Sequence, residues 1–431
     1  MAGEWTTVVL GEICEFRAGS VFKPALQGQS SGSYPFVKVS DMNLSANAIR
    51  IQTANNWVSE DDLRELRARP LPPGTVVFAK IGEALRQNRL RQVVRETIVD
   101  NNMMGAVPHT ARIDPCFFYY ALSKFDFSDI AQGTALPYLT VSALSGLKLD
   151  VPPLTEQRAI AHILGTLDDK IELNRKMNRT LEAMAQAIFK SWFVDFDTIR
   201  AKVAGQQPAG LKPDLAALED SELGEIPRGW KVGMIQDLGD VICGKTPPTS
   251  DNDNYGNDVP FVTIPDMHGK VFVTSTGKAL SKKGAATQKN KFLPPLSICV
   301  SCIATPGLVA LTSTSCQTNQ QINSVVPSNP NTSLFCYFVL RGLGDRIRSH
   351  GAGGSVLLNL NKGQFSAMKV IVPPAKDSVA FQKIVLPIFK RILNNESYCE
   401  ILASLRNALL PKLISGELRV PDAERIVGRC S

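Results

Sequence analysis

The chain is written twice, and that repetition constrains its fold more than any local pattern does. "YPFVKVSDM" at 34–42 matches "VPFVTIPDM" at 259–267, "LPPGTVVFAKI" at 71–81 matches "LPPLSICVSCI" at 293–303, and "FFYYAL" at 117–122 matches "FCYFVL" at 335–340. Further along the offset settles at about 221 residues: Gly133 answers to Gly354, Leu139 to Leu360, Leu147 to Met368, and "DVPP" to "IVPP". A repeat of this length holds a whole folding unit, so each half reads as a globular domain followed by a helix. Short β-branched and aromatic runs such as "TVVFAKI" and "SICVSCI", separated by Gly, Pro, Asn and Ser loops, make both domains mainly β. The predicted organisation is a first domain over 1–152, a long helix over 153–200, an Ala/Gly/Pro-rich linker over 201–227, a second domain over 228–373 and a second long helix over 374–420.

The helices carry the sharper pattern. A 4-3 spacing picks out Ile160, Leu164, Leu167, Ile171, Asn174, Asn178, Leu181, Ala185, Ile188 and Trp192, and eight of these ten are apolar. Shifting by 221 gives Phe381, Val385, Ile388, Ile392, Asn395, Cys399, Leu402, Arg406, Leu409 and Leu413, with eight of ten apolar again and Asn395 falling on Asn174. Such a seam belongs to a coiled coil, and a lone helix would leave it in water, so the two helices are expected to pack on each other. Each must leave its own domain, which favours an antiparallel pair about 50 Å long at ~1.5 Å per residue. The asparagines read as register-fixing groups in the seam, and Pro387 predicts a kink or a late start in the second helix. The expected fold class is therefore α+β: two similar mainly-β domains separated by a pair of long antiparallel coiled-coil helices, with a pseudo-two-fold internal repeat.

Composition excludes more than it identifies. Of 431 residues, 44% are hydrophobic and 20% charged, an ordinary globular balance. No window suits a bilayer span and the first residues do not resemble a signal peptide, so a soluble, cytoplasmic chain is expected. The nine cysteines lie mostly in apolar runs and read as reduced core thiols. "GDVICGKT" at 239–246 satisfies the P-loop pattern, but Lys245 and Thr246 run into "PPTSDNDNYG", which cannot open the helix that would hold phosphate. "CVSC" at 299–302 has no second pair, and the four histidines, His109, His162, His268 and His350, are scattered; no metal site is expected. Neither a glycine-rich cofactor loop after a strand, nor an Asn-Pro-Pro-aromatic turn, nor a nuclease or Ser-His-Asp arrangement is present. The chain reads as a binder without catalytic residues.

What it binds is suggested by charge. A net charge of +7 is mild, but each repeat has one basic run: "KIGEALRQNRLRQVVR" at 80–95 and "GKVFVTSTGKALSKKGAATQKNK" at 269–291. These suit phosphates, and polar loops such as "GTALPYLT", "TNQQIN" and "GGSVLLNLN" suit base edges. The candidate DNA contacts are Lys38, Lys80, Arg86, Asn88, Arg89, Thr134 and Tyr138 in the first domain. In the second they are Lys245, Thr263, Lys270, Gln320, Gln321, Ser355 and Asn359.

"VPPLTEQRAIAHILGTLDDKIELNRKMNRTLEAMAQAIFKSWFVDFD", "LGEIPRGW" and the C-terminal "LRNALLPKLISGEL" resemble the specificity subunit of Type I restriction-modification systems over essentially the whole chain. The resemblance implies two target-recognition domains, each reading one half of an interrupted, asymmetric double-stranded DNA site. It implies helices that set the spacer and dock two modification subunits. Those subunits would bind S-adenosylmethionine and methylate adenine, and motor-nuclease restriction subunits would join the complex. The chain itself would hold no cofactor. A methyltransferase with embedded recognition domains would instead bind S-adenosylmethionine alone, and a coiled-coil scaffold would show no salt-dependent DNA affinity.

Overall fold

Two runs dominated by apolar residues lie where the sheets are most enclosed. In the computed structural model, which describes residues 5–133, 135–197, 218–303, 305–344 and 360–428, "VVFA" and "ICVS" are buried at every position and occupy the middle of two five-stranded sheets. Burial on both faces is what such runs require. The chain divides into two compact units, Met1–Ile171 with Ile401–Ser431, and Glu172–Glu400.

The first unit contains strands β1 (Thr6–Val9), β2 (Cys14–Ala18), β3 (Tyr34–Val37), β4 (Arg50–Ile51), β5 (Trp57–Val58), β6 (Val76–Ala79), β7 (Leu90–Val93), β8 (Ile98–Val99), β9 (Met103–Pro108) and β10 (Lys148–Val151). They form a five-stranded sheet in the order β2-β9-β6-β7-β4, a three-stranded sheet β5-β3-β8 and the pair β1-β10. The second unit opens with the pair β11 (Leu218–Ser221) and β12 (Gly224–Pro227). It continues through β13 (Lys231–Met234), β14 (Gly239–Cys243), β15 (Tyr255–Val262), β16 (Phe272–Val273), β17 (Ala279–Leu280), β18 (Ile298–Ser301), β19 (Val309–Thr312), β20 (Gln317–Thr318), β21 (Ile322–Pro327) and β22 (Lys369–Val372). Its sheets are ordered β14-β21-β18-β19-β16, β17-β15-β20 and β13-β22. The topology of the first unit is thus reproduced strand for strand, including the parallel pairs β4 with β7 and β16 with β19.

The predicted linker needs correction. Residues 218–227 are the hairpin β11-β12, with Ile226 in the hydrophobic core of the second unit and Leu218 packed against it. Apolar Leu and Ile in an otherwise polar stretch supply the reason; the rest of that segment, up to residue 217, lies outside the described residues.

The long helices are Leu154–Phe193 and Ala375–Ile414, 40 residues each. Both start after paired prolines, with matched opening bonds from Glu156 N–H to Pro153 O and from Asp377 N–H to Pro374 O, 2.9 Å each. Within the first unit Arg419 pairs with Glu156 and Arg406 with Asp168. Within the second, Asn395 meets Asn178, and Phe381 meets Phe193. In both sets partner numbers fall as the first helix advances, so within each unit the two helical segments run antiparallel. Ile160, Leu164, Leu167, Ile171, Ala185, Phe381, Val385, Ile392, Leu402, Leu409 and Leu413 are buried; Leu181, Ile188 and Ile388 are partly buried.

The late start predicted from Pro387 is not found. The second helix begins twelve residues earlier, and Phe381 and Val385 already belong to its buried face. Pro387 and Lys383, whose carbonyl loses its usual N–H partner, are both exposed, so water can satisfy that carbonyl. The helix also stops before the predicted residue 420, and Val420–Gly428 forms a separate short helix.

Candidate nucleic-acid interface

The described parts of the loops singled out by sequence lie, in each unit, at the ends of its sheets. In the first unit, Lys80 follows β6; its N–H donates to Asn102 O at 2.8 Å and its carbonyl accepts from Leu139 N–H at 2.9 Å. Gly82 N–H donates to Pro137 O at 2.8 Å, and Gln132 and Tyr138 exchange both backbone bonds, at 2.9 and 2.8 Å. Lys80 and Tyr138, 58 positions apart in sequence, are thereby brought side by side by ladder-like pairing of 80–82 against 137–139. Leu136 and Tyr138 stand out of this loop 58% and 43% exposed. Arg86 and Arg89 are exposed on the adjoining turn, Arg86 beside Glu83 at 3.3 Å.

Other candidates are engaged internally. Asn88 sits in the left-handed region, donates to Phe125 O at 2.7 Å and accepts from Phe127 N–H at 3.3 Å, holding the turn that presents Arg86 and Arg89. Lys38 donates to Gln27 Oε1 at 2.7 Å and lies over the Phe22 ring. Arg91, in the same basic run, is spent on the carbonyls of Asn47, Met42 and Leu90. Asp100, whose carboxylate accepts from Asn102 N–H at 2.8 Å, has its pKa raised by burial. Thr134 lies outside the described residues.

The second unit repeats the arrangement with different groups. Leu360 N–H donates to Cys302 O at 3.1 Å and Cys302 N–H to Gln321 O at 2.9 Å, the equivalents of the two bonds at Lys80. Lys245 is exposed, and its N–H donates to Thr318 O at 3.0 Å. Thr246 Oγ1 donates to the Gln320 side chain, and Gln321 Oε1 accepts from Asn319 Nδ2 at 3.0 Å. Lys245, Gln320 and Gln321 therefore share one end of the sheets. Thr263 and Lys270 do not join them: Thr263 caps a turn through Asp266, and Lys270 pairs with Glu400 at 2.8 Å. Ser355 and Asn359 lie outside the described residues.

The rejected motifs are explained by packing. After β14 the P-loop look-alike continues as loop to a three-residue turn at Asn252–Asn254. A Cβ on Gly244 would stand 2.1 Å from Asn319 O, and one on the equivalent Gly19 1.9 Å from Asp100 O, so both glycines serve close backbone approach. Burial pushes Cys299 and Cys302 up to about 11, which keeps both as thiols. Among the described residues no helix is long and apolar enough to cross a membrane, and no cluster of three His, Cys, Asp or Glu could hold a metal ion.

Sequence reasoning missed the polar groups where domains meet helices. Tyr120 donates to Asp168 Oδ2 at 2.6 Å, and Arg406 reaches Asp168 Oδ1 at 2.5 Å. In the second unit the equivalent positions are apolar: Phe338 and Phe389, ring centroids 5.7 Å apart, with Ala185 buried in the same cluster. The second unit has polar contacts of its own, from Glu396 to the Val271 and Phe272 N–H groups and from Glu400 to Lys270, and the sequence signal for them was two acids four apart on one helix, since like charges at that spacing repel unless partnered.

A family model described as Type I restriction modification DNA specificity domain matches residues 2–183 and again 227–406. The Type I restriction enzyme HindI specificity subunit of Haemophilus influenzae is 38% identical over 372 residues, covering 74% of this chain and 81% of the relative. The MjaIX specificity subunit of Methanocaldococcus jannaschii is 25% identical over 97% of this chain and 94% of its own. Among solved structures, the S subunit of a Type I restriction-modification system from M. genitalium superimposes with a TM-score of 0.55 at 15% identity, covering 95% of this chain and 96% of that one, a likeness of fold.

Proposed function

The chain belongs to the Type I restriction-modification DNA specificity family, and from that premise we propose that its two recognition modules read the two halves of one interrupted, asymmetric DNA site. The observation that carries this reading is the duplicated topology, which presents the same loop set twice with different side chains: Lys80, Arg86, Arg89 and Tyr138 in one copy, Lys245, Gln320 and Gln321 in the other. Equal scaffolds with unequal loop chemistry are what reading two unlike half-sites demands.

In this reading the long helices act as the ruler for the spacer and as the docking surface for two modification subunits. Those subunits supply S-adenosylmethionine and adenine methylation, and restriction subunits join through the assembled complex. This chain contributes recognition without catalysis. Arg86 and Arg89, exposed beside an apolar loop tip, suit phosphate or guanine contacts; Gln320 and Gln321 suit adenine edges. Mapping methylated adenines in cells that express the chain with its modification subunit tests the proposal. A bipartite motif with one fixed spacer supports it; methylation of a continuous motif, or none that depends on this chain, contradicts it.

A further inference from the structure

The larger sheet of the second unit ends at β16, and there the side of a helix does the work of another strand. The N–H groups of Val271 and Phe272 donate to the two carboxylate oxygens of Glu396, 2.8 Å each. One turn along, Glu400 Oε1 accepts from Lys270 Nζ at 2.8 Å, Thr274 Oγ1 at 2.5 Å and Ser275 Oγ at 2.6 Å. Two adjacent acids on one helix thus grip the segment 270–275 by backbone and side chain together. Exposed edge N–H groups are open bonding positions, and Glu396 closes them. In the first unit the equivalent edge strand, β4, reaches the first long helix through an ion pair from Arg50 to Asp169, 2.5 Å, with the Asp169 side chain more than half exposed.

We propose that Glu396 and Glu400 are positioning residues for DNA reading, fixing the angle at which the second module is held on its helix and so restricting the spacer to one length. The inference rests on the function proposed above. Its scale is small: a domain of about 145 residues has a radius of gyration of about 15 Å, so a rotation of about 7° at its root moves its far surface about 3.5 Å. That displacement is one base-pair step, ~3.4 Å. Slack at this grip would therefore be read as tolerance of a spacer one base pair longer or shorter, with the bases of each half-site still recognised by the same loops. Lys270, which from sequence suits a phosphate, serves the grip instead.

The test uses the chain assembled with its modification subunit and a library of sites that share both half-sites but differ in spacer. The double variant Glu396→Gln/Glu400→Gln is expected to raise methylation at spacers one base pair off, relative to the native spacer, at least tenfold, with half-site preferences unchanged. An unchanged spacer ratio in a variant that melts like the parent, while the Val271 and Phe272 amides have lost their hydrogen-exchange protection, overturns the inference. If the double variant does not fold, Glu400→Gln alone leaves the edge bonds in place; a threefold relaxation supports the grip and an unchanged ratio overturns it. A parent protein that methylates all spacers equally would sink the ruler itself, and this inference with it.

Discussion

At the scale of single residues, the seam is a set of specific polar pairs inside an apolar face. Asn395 Nδ2 donates to Asn178 Oδ1 at 2.7 Å, and Asn178 Nδ2 to Ile392 O at 3.3 Å, both side chains buried. The repeat aligns Asn395 with Asn174, but an antiparallel pair sets it against Asn178, and Asn174 bonds Cys399 instead. Replacing Asn395 alone by Leu strands a buried amide and is expected to cost about 1–3 kcal/mol. Replacing Asn178 and Asn395 together removes both and is expected to raise the melting temperature above that of the parent; thermal denaturation of the three proteins decides it. The Asp168–Arg406 pair behaves likewise. Asp168 is 2% exposed, so Arg406→Leu is expected to destabilise by about 3 kcal/mol, whereas a Tyr120→Phe/Asp168→Leu/Arg406→Leu triple variant, which also removes the hydroxyl bonded to Asp168, recovers most of the loss, as the apolar solution at Phe338, Phe389 and Ala185 already suggests. Gly19→Ala and Gly244→Ala each force a Cβ into backbone, and urea titration is expected to show both as destabilised.

At the scale of elements, the helix that carries Glu396 responds to pH. Burial pushes Glu396 from the ordinary 4.5 up to about 7, although the N–H groups of Val271 and Phe272 and the charge of Lys270 pull the other way. An acid whose folded value lies above its unfolded one holds its proton more tightly when folded. The stabilising contribution is therefore complete below about pH 4.5 and is lost as pH rises through 7. The stability of the parent relative to Glu396→Gln is expected to fall across that window, and a flat difference in melting temperature would refute the assignment. Elements were legible in sequence where a period or a mostly apolar run spoke for itself: the 4-3 seam and the central strands "VVFA" and "ICVS". Pro387 misled because the propensity of one residue was set against thirty-nine others whose apolar face is buried along the helix, and tertiary burial outweighs it. The hairpin at 218–227 was hidden by polar, Gly- and Pro-containing composition, with only Leu218 and Ile226 to mark it.

At the scale of the whole molecule, the duplication was the most legible feature because it needs no local inference, and both copies carry one topology. The interface was legible only in part. Basic runs mark where cations are, but whether a cation is free depends on contacts distant in sequence: Lys270 finds Glu400 after 130 residues, and Arg91 finds Asn47 after 44, while Lys245 and Arg89 stay exposed. No motif encodes such pairings. The proposal of two reading modules set apart by a ruler of paired helices meets its sharpest test when one heptad is removed from each long helix and methylated adenines are mapped across the genome with the modification subunit present. Both half-sites are expected to be kept and the spacer between them to change; an unchanged spacer with both half-sites still methylated would rule the ruler out.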